Sequence, residues 1–160
     1  MPQGVLGLES EPGDCWPARD PRPWRRAESL VRRFAATFPE IRYDIFAGTA
    51  LANAQAFRLG PLRCVRLYGG LVRHRTIGLA GLAFALAHET GHHLGGPPAD
   101  PIYPWLSSEA AADEWALVIG LPLVFGAARG GRLGARGLAR RAALRAALGD
   151  DAAGRDDRSR

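Results

Sequence analysis

Two histidines four residues apart, with a glutamate directly after the first, stand at His88-Glu89-Thr90-Gly91-His92. Residues four apart on a helix share a face. Both imidazoles can therefore grip one metal ion while Glu89 sits beside a water that the metal activates. This is the H-E-x-x-H pattern, in which two histidines hold zinc and the glutamate serves as base. Zinc accepts imidazole nitrogen at roughly 2.0–2.1 Å, needs a third protein ligand and keeps one position open. It lowers the pKa of water to roughly 7 and polarises a carbonyl. Glu89 would take the proton and pass it to a leaving amine. The chemistry implied is hydrolysis of peptide bonds in a polypeptide substrate, with one Zn2+ ion as cofactor.

The third ligand decides the subtype. A three-histidine site, H-E-x-x-H-x-x-G-x-x-H, needs histidine where this chain has Pro98, although Gly95 is in place. Proline cannot ligate, so that version fails. A glutamate on a following helix is the alternative. Glu109 lies 17 residues after His92, behind Ser107 or Ser108 as a helix cap, and Asp113 follows on the same face. Glu109 is expected to bind the metal and Asp113 to accept the N–H of a ligand histidine. Glu114 points elsewhere. Ala110, Ala111 and Ala112 suit close packing against the zinc helix. His93 is off the metal face. Gly91 weakens a helix interior, so its expected use is close approach by another backbone. His74, Tyr68 and Tyr103 each stand as candidates to polarise the substrate carbonyl, and nothing in the sequence chooses among them. Trp105 and Trp115 read as core or pocket-wall residues.

These residues need elements to hold them. Residues 1–23 are rich in Pro, Gly and acids and read as an irregular lead-in. From Trp24 to Phe38 the period is helical, with Trp24, Ala27, Leu30, Val31, Phe34, Ala35 and Phe38 on one arc and Pro23 and Pro39 as bounds. Ile41–Phe46, Leu51–Phe57 and Leu62–Leu67 read as strands, the last two joined by Gly60-Pro61, with Gly69-Gly70 closing the β region. Thr76 is placed to cap a helix reaching Leu94. Its run Ile77–Ala87 is apolar on all sides, which implies burial all round. A last clear helix is expected from Glu109 to about Leu121, where Pro122 disrupts it.

The chain of 160 residues suits one α+β domain, placed at residues 24–128. No lysine occurs, and the net charge of +5 is concentrated at one end. Residues 1–128 balance 12 arginines against 12 acids, whereas residues 129–160 hold 9 arginines and 4 acids. The basic pI therefore belongs to an Arg-, Ala- and Gly-rich tail. Leu138–Leu148 could be helical, but its leucines and arginines interleave on the wheel, so this segment reads as a solvated helix or a flexible tail. The basic tail is weak evidence for nucleic acid, and no nucleic-acid partner is expected. An acidic partner is what it could contact. Two cysteines, no apolar leader and no run long enough to span a bilayer point to a cytoplasmic protein.

In order, Asn53-Ala54-Gln55-Ala56-Phe57, Val65–Leu71, Ala85–His92 and Glu109–Asp113 resemble the short gluzincin metallopeptidases, of HtpX-like and minigluzincin type. The resemblance covers about residues 50–120. It implies a zincin-like fold: a small mixed or antiparallel sheet packed on an N-terminal helix and a buried zinc helix, followed by the Glu-x-x-x-Asp helix. It also implies that the Asn53–Ala54 segment lies near the active site and binds substrate as an added strand. HtpX proteins carry transmembrane helices that this chain lacks. The motif Glu109-x-x-Ala112-Asp113-x-Trp115 is also similar to the ImmA/IrrE group, which acts on transcriptional repressors, although that group has Asn at the position of Asp113. The sequence thus points to a zinc endopeptidase. A repressor-directed regulatory protease and a non-catalytic, zinc-stabilised binding module remain as alternatives.

Overall fold

The computed structural model describes residues 8–9 and 12–156. The first helix, α1 (Pro21–Thr37), is opened by Asp20, whose side chain accepts the Arg22 N–H at 2.9 Å. Pro21 and Pro23 fit its first turn, where a backbone N–H has no helical partner. The helix therefore begins before the expected Trp24, because a capping carboxylate sets its start. Ala27, Leu30, Phe34 and Phe38 face the core as expected, but Ala35 is exposed. Part of the lead-in is also structured. Cys15 is buried and bridges to His74, and the Trp16 N–H donates to the Arg73 carbonyl.

The mixed sheet has the order β2 (Ile41–Phe46), β5 (Leu62–Tyr68), β4 (Ala54–Leu59). β2 runs parallel to β5, and β4 antiparallel to it, with Ala56 opposite Val65. Gly60, at φ +58°, makes the turn between β4 and β5. The strand expected over 51–57 divides at Asn53. β3 (Leu51–Ala52) pairs with β1 (Leu8–Glu9), while the Asn53 carbonyl accepts the Tyr68 N–H. Gly69-Gly70 opens a short helix, α2 (Gly69–Arg73).

The helix α3 (Gly78–Leu94) crosses the core, buried from Gly81 to His93. Its first turn is not enclosed, since Leu79 is 38% exposed. Thr76 does not cap it: the Thr76 N–H instead donates to His74 Nδ1, and α3 starts without a side-chain cap. After a loop, α4 (Glu109–Trp115) is capped by Ser108, whose hydroxyl accepts the Ala111 N–H. Pro122 does not stop the chain here. One π turn, Ala116–Gly120, shifts the hydrogen-bond register. Pro122 then falls in the first turn of α5 (Leu121–Phe125), where its missing N–H is not needed.

The tail departs most from expectation. It forms α6 (Ala127–Asp156), which packs against α3 and α5 with Leu133, Leu144 and Leu148 buried. Small residues make this packing close: a Cβ on Gly137 would stand 2.6 Å from the Ala80 carbonyl oxygen. A solvated or flexible segment does not describe residues 129–148, because that expectation weighed only leucines and arginines; residues 157–160 lie outside the described residues. The inward stripe is built from Gly130, Gly134 and Gly137 as well as Leu133. The described chain is α+β, and none of its helices is long and apolar enough to cross a membrane.

Candidate metal centre

His88 is fully buried on α3 and His92, one turn on, is nearly so. Each commits Nδ1 to a protein acceptor. His88 Nδ1 lies 2.7 Å from Asp113 Oδ1, and His92 Nδ1 lies 2.8 Å from the Ser107 carbonyl oxygen. Both acceptors lack protons, so both Nδ1 atoms donate, and in the neutral rings the lone pair falls on Nε2. Those lone pairs converge, with the two Nε2 atoms 3.1 Å apart. Glu109 adds its carboxylate, Oε2 at 3.2 Å from His88 Nε2 and Oε1 at 3.4 Å from His92 Nε2.

These separations test the fit of a metal. Ligand atoms held roughly 2.0–2.1 Å from a tetrahedral zinc stand about 3.3–3.4 Å apart. The three separations in the protein lie at or just below that spacing, with Glu109 meeting the two Nε2 atoms through different oxygens. The ligand atoms of His88, Glu89 and His92 also lie within 4.8 Å of one another, so this group could hold a metal ion. Glu109 lies outside that group by this measure, yet its two oxygens each stand within 3.4 Å of one Nε2 atom. The Glu109 side chain is 58% exposed, which leaves the centre open to solvent on that side.

Glu89 is buried beside the pair, and its Oε1 has no hydrogen-bond partner among the described residues. Burial pushes its carboxyl pKa up, opposed by His88, His92 and the Ala56 amide of edge strand β4. Burial also works against charge on His88. Hydrogen bonds to Asp113 and Glu109 and the nearby carboxylates outweigh it, holding that imidazole at about 9. The His92 pKa is raised against the same burial, chiefly by Glu109. Hydrogen bonds from His88 and His92 hold Glu109 well below the ordinary carboxylate range. The centre thus demands positive charge between its histidines and carboxylates.

Two elements bring these groups together. Gly91 lets α4 approach α3: a Cβ there would stand 2.7 Å from the Ala112 carbonyl oxygen. Ala111 and Ala112 are buried at this contact, while Ala110 is exposed. The 96–108 loop folds back, the Ser107 N–H donating to the His92 carbonyl while the Ser107 carbonyl accepts from the His92 ring.

The remaining candidates go elsewhere. His93 Nε2 donates to the Cys64 carbonyl, and its ring stacks on Trp105. Tyr68 donates to Gln55, Tyr103 packs on Trp105, and His74 is buried with Nδ1 taken by Thr76. Trp115 is in the core and Glu114 is exposed. Asn53 and Ala54 are buried, so what this segment can offer a peptide is backbone rather than side chain. Cys15 and Cys64 are free and buried.

Two residues without an expected role at the centre touch it: Ser107, expected only as a possible helix cap, and Arg141. Ser107 orients His92 through a carbonyl, which no residue type signals. Arg141 on α6 grips Asp113, NH1 to Oδ1 at 2.7 Å and NH2 to Oδ2 at 2.6 Å. No local pattern marks it, because the stripe that seats α6 is visible only in the packed helices. Comparison of the chain with protein-family models, curated proteins and solved structures finds no match.

Proposed function

We propose that this chain is a zinc-dependent endopeptidase of zincin-like fold, with one ion held by His88, His92 and Glu109. The observation that carries the reading is the convergence of two Nε2 lone pairs and a carboxylate at tetrahedral ligand-edge separations. Charge supports a divalent ion. With Glu89, Glu109 and Asp113 ionised and both rings neutral, three negative charges face the positive charge of Arg141, and a divalent ion supplies the two that protons on His88 and His92 supply in its absence.

A zinc ion bound there would supply a Lewis acid for the scissile carbonyl and would acidify water. The chain supplies the rest. Glu89, raised in pKa by burial and with one oxygen unengaged, takes a proton from the attacking water and delivers it to the leaving amine. Asp113 and the Ser107 carbonyl keep both Nδ1 protons in place, so the rings cannot turn a donor toward the ion. The outer edge of β4, from which Ala56 reaches Glu89, is the natural rail for an extended substrate backbone. A purely structural zinc site is closed by four protein ligands. The exposure of Glu109 speaks against that module reading.

The test is Glu89→Gln against wild type on an unfolded polypeptide, with zinc quantified in both. Loss of a general base lowers turnover by about 10²–10⁴-fold, with zinc content unchanged. Equal turnover, or a wild type that retains no zinc, would sink the proposal.

A further inference from the structure

Arg141 belongs to the basic C-terminal helix, yet its guanidinium is turned inward and its side chain is only 12% exposed. It makes a two-pronged pair with both oxygens of Asp113. Oδ1 of that carboxylate is shared: it also accepts from His88 Nδ1. The guanidinium lies 4.8 Å from the centroid of the Phe84 ring, and Phe84 in turn stacks on His88 at 6.2 Å. The fork therefore cannot swing freely, and neither can the carboxylate it holds.

Resting on the metal-binding reading above, we propose that Arg141 is a positioning residue for the metal centre, acting from α6 through Asp113 on His88. A carboxylate on a short helix can rotate about its side-chain bonds, and the ring it anchors follows. Pinning both oxygens fixes the plane of the Asp113 carboxylate, and with it the direction from which Oδ1 accepts the His88 proton. His88 Nε2 is then aimed at the point shared with His92 and Glu109. Arg141 meets His88 at the other ring nitrogen, NH1 standing 3.5 Å from Nδ1 rather than at Nε2. Lysine would keep the charge and lose the fork. The close seat of α6 on α3, which Gly137 permits, is what lets the arginine reach.

The experiment measures zinc affinity by chelator competition, the visible spectrum of the cobalt-substituted chain, and the melting temperature of the metal-free chain. Arg141→Met should weaken zinc binding by about 10–100-fold, the usual effect of losing such an outer partner, and change the cobalt spectrum. Arg141→Lys should fall between. Asp113→Ala combined with Arg141→Met should be no weaker than Asp113→Ala alone, because the arginine acts through that carboxylate. Leu144→Ala, buried on the same helix, should lower the melting temperature and leave zinc affinity unchanged. Wild-type affinity and spectrum in Arg141→Met overturn the proposal, as do losses that add to those of Asp113→Ala. Should Arg141→Met not fold, wild-type affinity in Arg141→Lys overturns the role of the fork. A wild type that binds no zinc overturns the metal reading and this one with it. A wild type that binds zinc while the arginine variants bind it equally overturns this one alone.

Discussion

His88 and His92 each spend one ring nitrogen on the protein, and this makes the other available. The carboxylate partner of His88 and the carbonyl partner of His92 differ in kind but fix the same tautomer. Deprived of metal, the centre is stabilised by protons instead, and this gives a pH signature. The His88 pKa is raised from 6.5 to about 9 in the folded chain. A raised pKa means that the folded state binds more protons than the unfolded one between those values. Its contribution is fully present below 6.5 and is lost as pH rises through about 9. The melting temperature of the chelator-treated protein should therefore fall across that window. The zinc-loaded protein should not show the fall, because there the imidazole is neutral as a ligand. Parallel declines in both forms would contradict the assignment of His88 to the metal.

At the scale of elements, the centre depends on how closely α4 lies against α3. That contact was legible from the sequence in part. The i, i+4 spacing of His88 and His92, the Ser108 cap and the Glu109–Asp113 pair are local patterns, and helix geometry turns local patterns into shared faces. Gly91 was legible for the same reason, as a helix interior that gives up stability for proximity. Gly91→Ala should gain about 1 kcal/mol of helix propensity. The new methyl would meet Ala112 backbone at 2.7 Å, and backbone cannot swing aside. Overpacking of this kind costs about 1–3 kcal/mol, so the clash should win. Thermal unfolding should show a lower melting temperature, and zinc affinity should fall as Glu109 moves with α4. An unchanged or higher melting temperature would contradict the tight helix contact. Other element features could not be read locally. The Asp20 cap competed with prolines that also mark a helix start, and the π turn at Ala116–Gly120 is a solution to Pro122 that leaves no spacing signature.

Across the whole molecule, the sheet, the buried α3 and the flanking α1 were readable because periodicity and burial are coupled. The placement of α6 was not. Its leucines and arginines interleave, and only the glycine stripe at 130, 134 and 137 shows how it seats on α3 and α5. Arg141 shows the consequence, since a residue 28 positions from Asp113 completes the surroundings of the centre. Long-range partners of this sort depend on where two helices cross, which no window of sequence contains. The domain boundary expected at 128 thus cuts through a packed structure. All of these elements converge on one claim, that a single metal is held by two imidazoles and one carboxylate. X-ray absorption at the zinc edge of the loaded protein tests it most directly. The account predicts a first shell of nitrogen and oxygen alone at about 2.0–2.1 Å, with outer scattering from two imidazoles. A shell containing sulfur from Cys15 or Cys64, or an imidazole count other than two, would contradict it.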